Sequence, residues 1–121
     1  MSRKHSTIDS FPYALSGLKT ALKNEPNFKL HVVTAILAIS LGFILKLSYL
    51  ELAILILTIG VVIILELLNT TLETLVDLVS PQIRPKAKIA KDVSAAAVLV
   101  SAVMSVAIGA LLFLPKLSNL F

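Results

Sequence analysis

Three stretches of this chain are too long and too poor in charge to fit the core of a small soluble domain. Val32 to Leu45 carries no charged residue and continues past Lys46 to Leu50. Leu52 to Leu65 is equally free of charge, and so is Val93 to Leu114. Each is close to the ~20 residues that cross ~30 Å of hydrocarbon as a helix. At 57% hydrophobic residues over 121 positions and a mean hydropathy of +0.94, the chain is far more apolar than an average soluble domain. The expected fold is one all-α membrane unit, residues 1–121, with spans at about 29–50, 52–79 and 85–114. The first span lies behind a polar and amphipathic segment, unlike a cleavable secretory signal, so it is expected to be retained.

Charge orients these spans. The net charge is +4, a balance that also suits nucleic acid, but the basic residues are distributed by side of the membrane. Arg3, Lys4, Lys19, Lys23 and Lys29 precede the first span, and Arg84, Lys86, Lys88 and Lys91 lie between the second and third. Lys46 and Lys116 alone fall on the opposite side. By the positive-inside rule the N-terminus and the residue 80–92 loop are cytoplasmic, and residues 46–51 and the C-terminus face outward. With no cysteine, disulfides and thiolate metal sites are excluded.

Residues 1–8 are polar and expected to be mobile. From Phe11 to Leu22, apolar Phe11, Ala14, Leu15, Leu18 and Leu22 recur at helical spacing opposite Ser16, Lys19, Thr20 and Lys23. The pattern predicts an amphipathic helix over about 9–24, lying on the membrane surface or packed on the bundle. Asn24-Glu25-Pro26-Asn27 breaks the chain before the first span, with Asn24 suited to an N-cap and Pro26 to an early helical position. Ser80-Pro81-Gln82-Ile83-Arg84-Pro85 separates the second and third spans. Ala97, Ser101, Ser105 and Gly109 recur every fourth residue, a small-residue stripe that favours close helix packing in the bundle or between subunits.

The second span holds the chemistry. Glu66, Asn69, Glu73 and Asp77 are spaced by three, four and four residues, which places them on an arc of about 80° of one helix. Ionisable groups at membrane depth are costly and normally face a cavity, a partner or a reaction site. Asn69 alone is equally well read as a bond between helices, and Asp77 as a headgroup-level residue; neither reading accounts for Glu66 and Glu73. Glu66 lies about 21 Å along the span from Leu52, where a partly desolvated carboxylate is a better proton acceptor and can meet a lipid hydroxyl. Glu73, two turns nearer the cytoplasm, is placed to hold a divalent cation carrying polyphosphate. The chain has no GxxxxGK[ST], HExxH or GxSxG motif, so a P-loop, a zincin and a nucleophile elbow are excluded. His5 and His31 are too far apart in sequence to suggest a metal pair, and His31 reads as the interfacial start of the first span.

The run ELLNTTLETLVDLVSP, followed by AKIAKDVSAAAVLV and preceded by ALSGLKTALKNEPNF, resembles the small integral membrane diacylglycerol kinases of bacteria, in particular the undecaprenol kinase branch. The likeness covers roughly residues 9–114. It implies a homotrimer of three-span subunits whose active sites form between neighbours at the cytoplasmic interface of the plasma membrane. By the same resemblance Glu66 is the catalytic base and meets the lipid substrate, while Glu25 and Glu73 hold Mg²⁺ bound to ATP. Asn69 orients phosphate or metal, and Tyr13, Asp77, Lys91 and Asp92 belong to the nucleotide site. A solvated surface residue is otherwise the ordinary reading of Glu25. The diacylglycerol branch tends to carry an acidic residue at the position of His31 and a tryptophan late in its third span. This chain has no tryptophan, and both departures favour undecaprenol over diacylglycerol as the lipid alcohol.

Two other classes compete. An ion or proton transport subunit also uses intramembrane carboxylates, but the outward half offers only Lys46, Glu51 and scattered hydroxyls to continue a path. A noncatalytic scaffold accounts for the small-residue stripe and not for the ladder from Glu66 or for Lys91-Asp92.

Overall fold

A computed structural model describes residues 6–121, and the described chain is helical apart from short connections, with no strand. Four helices follow in order: α1 (Thr7–Asn24), α2 (Pro26–Ile44), α3 (Tyr49–Val79) and α4 (Pro85–Ser118). The last three are long and apolar enough to cross a membrane. Arg3, Lys4 and His5, invoked in the charge and histidine arguments, lie outside the described residues.

Each helix starts where local chemistry supplies its free N–H groups with partners or makes one unnecessary. At the head of α1, the Ser6 hydroxyl accepts from the Asp9 backbone N–H and the Asp9 carboxylate accepts from the Ser6 N–H, a reciprocal cap. The helix therefore begins at Thr7, two residues before the expected start. α2 and α4 open on Pro26 and Pro85, whose missing N–H is no loss in a first turn. Asn24 is the last residue of α1, and Glu25, in extended conformation, stands at the N-cap of α2. The N-cap expected at Asn24 is thus one residue out.

The first span is shorter than the sequence suggested. It stops at Ile44 instead of running to Leu50, because the chain turns over Leu45–Ser48 and a new cap begins there. Lys46 takes the left-handed conformation, φ 57°, and Leu47 N–H bonds back to Gly42 C=O at 3.0 Å, the closure typical of a helix C-terminus. Ser48 and Glu51 then form a second reciprocal cap, with Glu51 Oε2 accepting from Ser48 N–H at 2.8 Å. Hydropathy alone read this turn as continuous helix; the Ser-x-x-Glu signature in Ser48 to Glu51 marks it.

α2 and α3 form an antiparallel hairpin, α4 returns antiparallel along α3, and α1 packs on α2. The α3–α4 pair is tied at both ends: Lys91 Nζ lies 2.6 Å from Asp77 Oδ1, and Lys116 Nζ lies 3.4 Å from Glu51 Oε2. Few apolar side chains are buried within the chain: Ala21, Phe28, Leu47, Leu55 and Val62. Broad aliphatic faces on all three spans stay exposed, as expected where lipid or other subunits cover them. The small-residue stripe of α4 is used in part inside the chain. Ser101 is buried, with its hydroxyl donating to the Val98 carbonyl at 2.7 Å, and Ser105 bonds Ala102 in the same way.

Candidate active site

α3 extends well beyond the turn that starts α2, so its polar stripe passes from the packed interior to an open end. Glu66 is the innermost member and is 4% exposed. It meets α2 through His31, whose Nε2 lies 3.1 Å from Glu66 Oε1. One turn on, Asn69 Oδ1 is buried with no hydrogen-bond partner among the described residues. The neighbouring Thr70 hydroxyl oxygen is in the same condition. A buried carbonyl oxygen without a donor or a cation is uncommon, because its desolvation is uncompensated. Glu73 is half-buried, and its charge acts on the ammonium of Lys91.

At the open end the stripe joins the head of α4. Asp77 is exposed and bonded to Lys91, and Asp92 is bonded to Lys88 at 2.5 Å. These four side chains line one hollow of about 290 Å³ with Ser80, Gln82 and neighbouring apolar residues. The spacing is helical in origin: Lys88 and Asp92 lie one turn apart on α4, and Lys91 faces back to α3. The hollow thus carries alternating cations and carboxylates at the charged end of the bundle.

A second depression, of about 220 Å³, begins at His31 and runs away from that end between α2, α3 and α4. Its walls are mainly Ala35, Ala38, Leu55, Ile59, Val62 and Val106, with the hydroxyls of Thr34, Thr58 and Ser105 spaced along it. It is an apolar groove with His31, the partner of Glu66, in its lining.

The structure therefore brings Asp77, Lys91 and Asp92 into one hollow and sets Glu66, Asn69 and Glu73 along the wall that leads inward from it. Tyr13 lies exposed on α1, and Glu25 is half-buried at the α1–α2 junction, without an ion pair among the described residues. No group of three or more His, Asp or Glu side chains suited to a metal occurs among the described residues. His31, read from sequence as an interfacial residue, is also in contact with the buried carboxylate. The contact follows from the helix register, which no local sequence signal shows: α2 and α3 run antiparallel, and Gly42 packs on Leu55. Counting eleven residues back along α2 and eleven on along α3 reaches His31 and Glu66.

The chain matches the profile of the prokaryotic diacylglycerol kinases over residues 12–113. It is 45% identical to the undecaprenol kinase of Bacillus subtilis over 108 residues, 89% of this chain and 88% of that protein. It is 44% identical to a diacylglycerol kinase of Synechocystis over 112 residues, 92% of this chain and 64% of that longer protein. A diacylglycerol kinase of Haemophilus influenzae is 35% identical over 107 residues, 88% of this chain and 91% of the relative. The chain belongs to the prokaryotic diacylglycerol kinase family. It is a multi-pass membrane protein and a lipid kinase.

Proposed function

We propose that this chain transfers the γ-phosphoryl group of ATP to undecaprenol, giving undecaprenyl phosphate, at the cytoplasmic face of the bacterial plasma membrane. The observation that carries this reading is a pair of unlike spaces at different levels of the polar stripe. An apolar groove has His31, the ion-pair partner of Glu66, in its lining, and a charged hollow lies at the end of α3 beside Asp77 and Lys91. A lipid tail suits the first space and a nucleotide the second. The 45% identity to an undecaprenol kinase supports the choice of lipid, as do the absence of tryptophan and the presence of His31.

In this reading Glu66 accepts the proton of the lipid hydroxyl as that oxygen attacks the γ-phosphorus and ADP leaves. Lys91 meets phosphate as a point charge, with Asp92, Asp77 and Tyr13 around the nucleotide. Glu25 and Glu73 hold Mg²⁺, and Asn69 offers its unpartnered Oδ1 to metal or phosphate. An all-oxygen donor set with only one or two protein carboxylates fits Mg²⁺, which takes its remaining ligands from phosphates and water. The register that sets His31 against Glu66 carries Glu25 to about the level of Glu73, which supports a shared ion. When bound, the ion would supply positive charge that offsets that of the phosphates.

The chain works as one unit over 1–121, assembled as a homotrimer whose neighbours complete each site. The exposed aliphatic faces support such assembly. α1 lies on the cytoplasmic surface through Phe11, Leu15, Leu18 and Leu22, and the N-terminus is inside with the C-terminus outside. The deciding experiment offers undecaprenol and diacylglycerol in parallel under matched micelle conditions with labelled ATP. Undecaprenol is expected to be the better acceptor in kcat/KM by about 10- to 100-fold, because apolar pockets separate lipids by only ~1–3 kcal/mol. Equal or better turnover of diacylglycerol overturns the substrate and leaves the kinase reaction standing.

A further inference from the structure

His31 has no role in the reaction as proposed so far, yet it is the residue in contact with its base. The His31 side chain is 23% exposed and that of Glu66 is 5% exposed, with Nε2 and Oε1 3.1 Å apart. A carboxylate buried to this degree is costly unless a donor or counter-charge meets it. Among the described residues, His31 supplies the one ion-pair contact of Glu66. The ring is held at a fixed depth, since Phe28, one turn earlier on α2, is 2% exposed and anchors that face of the helix. The imidazole also lines the apolar groove, which is the space this reading gives to the lipid.

We propose that His31 is a positioning residue for phosphoryl transfer, holding Oε1 of Glu66 so that the carboxylate presents its second oxygen to the acceptor hydroxyl. This rests on the reading of Glu66 as the base. In the step itself the hydroxyl O–H bond breaks, its proton passes to Glu66 Oε2, and the hydroxyl oxygen bonds to the γ-phosphorus. The bond from that phosphorus to the β,γ-bridging oxygen breaks, and its electron pair leaves with ADP. His31 neither gains nor loses a proton; it fixes the acceptor of one.

The test uses the purified full chain in micelles with ATP and lipid varied in turn. His31→Leu is expected to lower kcat by about 10- to 100-fold, the scale of a misplaced catalytic group, with the KM for ATP changed by no more than about twofold. His31→Gln keeps an N–H donor of similar reach and is expected to return kcat to within about fivefold of wild type. A merely structural histidine would depress both variants together, along with their melting temperatures. The inference is overturned if His31→Leu turns over within about threefold of wild type, if His31→Gln is as slow as His31→Leu, or if the loss lies in the KM for ATP. If His31→Leu does not assemble, His31→Ala takes its place with the same thresholds. Glu66→Gln is measured alongside. Normal turnover there removes the base, whereas an inactive Glu66→Gln beside a normal His31→Leu removes this inference alone.

Discussion

Lys91 reaches Asp77 across fourteen positions of sequence at 2.6 Å, and the electrostatics of that contact separate a structural from a functional role. The Asp77 side chain is 65% exposed and that of Lys91 37%, and exposed pairs of this kind add little to stability. Lys91→Ala should therefore leave the melting temperature in micelles nearly unchanged while raising the KM for ATP by about tenfold, as expected for a lost phosphate contact. A matched fall in melting temperature with an unaltered KM would assign Lys91 to the helix pair alone. Glu25 and Glu73 are argued on the same scale. Glu25→Gln and Glu73→Gln should each weaken use of Mg²⁺ and ATP, and the double variant should lose less than the two losses added, because groups that share one ion are coupled. Full additivity across Mg²⁺ titrations would show two independent sites.

Between α2 and α3 the chain turns in four residues, and Gly42 is what lets it turn so tightly. A Cβ on Gly42 would lie 3.1 Å from Leu47 Cδ1 and 3.4 Å from both Leu52 Cδ2 and Leu55 Cδ2. Gly42→Leu should accordingly destabilise the fold by roughly 1–3 kcal/mol, the usual cost of overpacking. Gly17→Ala, at a position with nothing within 4 Å of the added Cβ, should instead be neutral or stabilising by up to about 1 kcal/mol. Thermal unfolding in one detergent checks both, and equal melting temperatures for the two variants would contradict the packing argument. The same corner shows why sequence reading is uneven. Uncharged length identified three spans, and Pro26 and Pro85 marked two helix starts, because those signals are local. The end of α2 escaped, since Leu45, Leu47 and Leu50 continue the hydropathy while the turn depends on Lys46 adopting φ 57°. The stripe from Glu66 to Asp77 was legible because one helix fixes it. The His31–Glu66 contact was not, because it depends on the register between two helices.

For the whole molecule, the antiparallel hairpin with its long α3 sets an apolar groove lined by His31 and a charged hollow lined by Asp77 and Lys91 at different levels of one helix. The spans bury little of their aliphatic surface against one another, as expected where lipid or other subunits cover it. The family likeness and the structure rest on different grounds, 45% identity to an undecaprenol kinase on one side and a buried carboxylate paired with His31 on the other. The most direct test measures transfer of label from γ-labelled ATP into the organic phase with undecaprenol present, for wild type and for Glu66→Gln purified in the same oligomeric state. The wild type should label the lipid, and Glu66→Gln should retain nucleotide binding while transferring at least ~100-fold more slowly, the scale of a lost general base. Near-normal transfer by folded Glu66→Gln, or no lipid labelling by the wild type, would contradict the account.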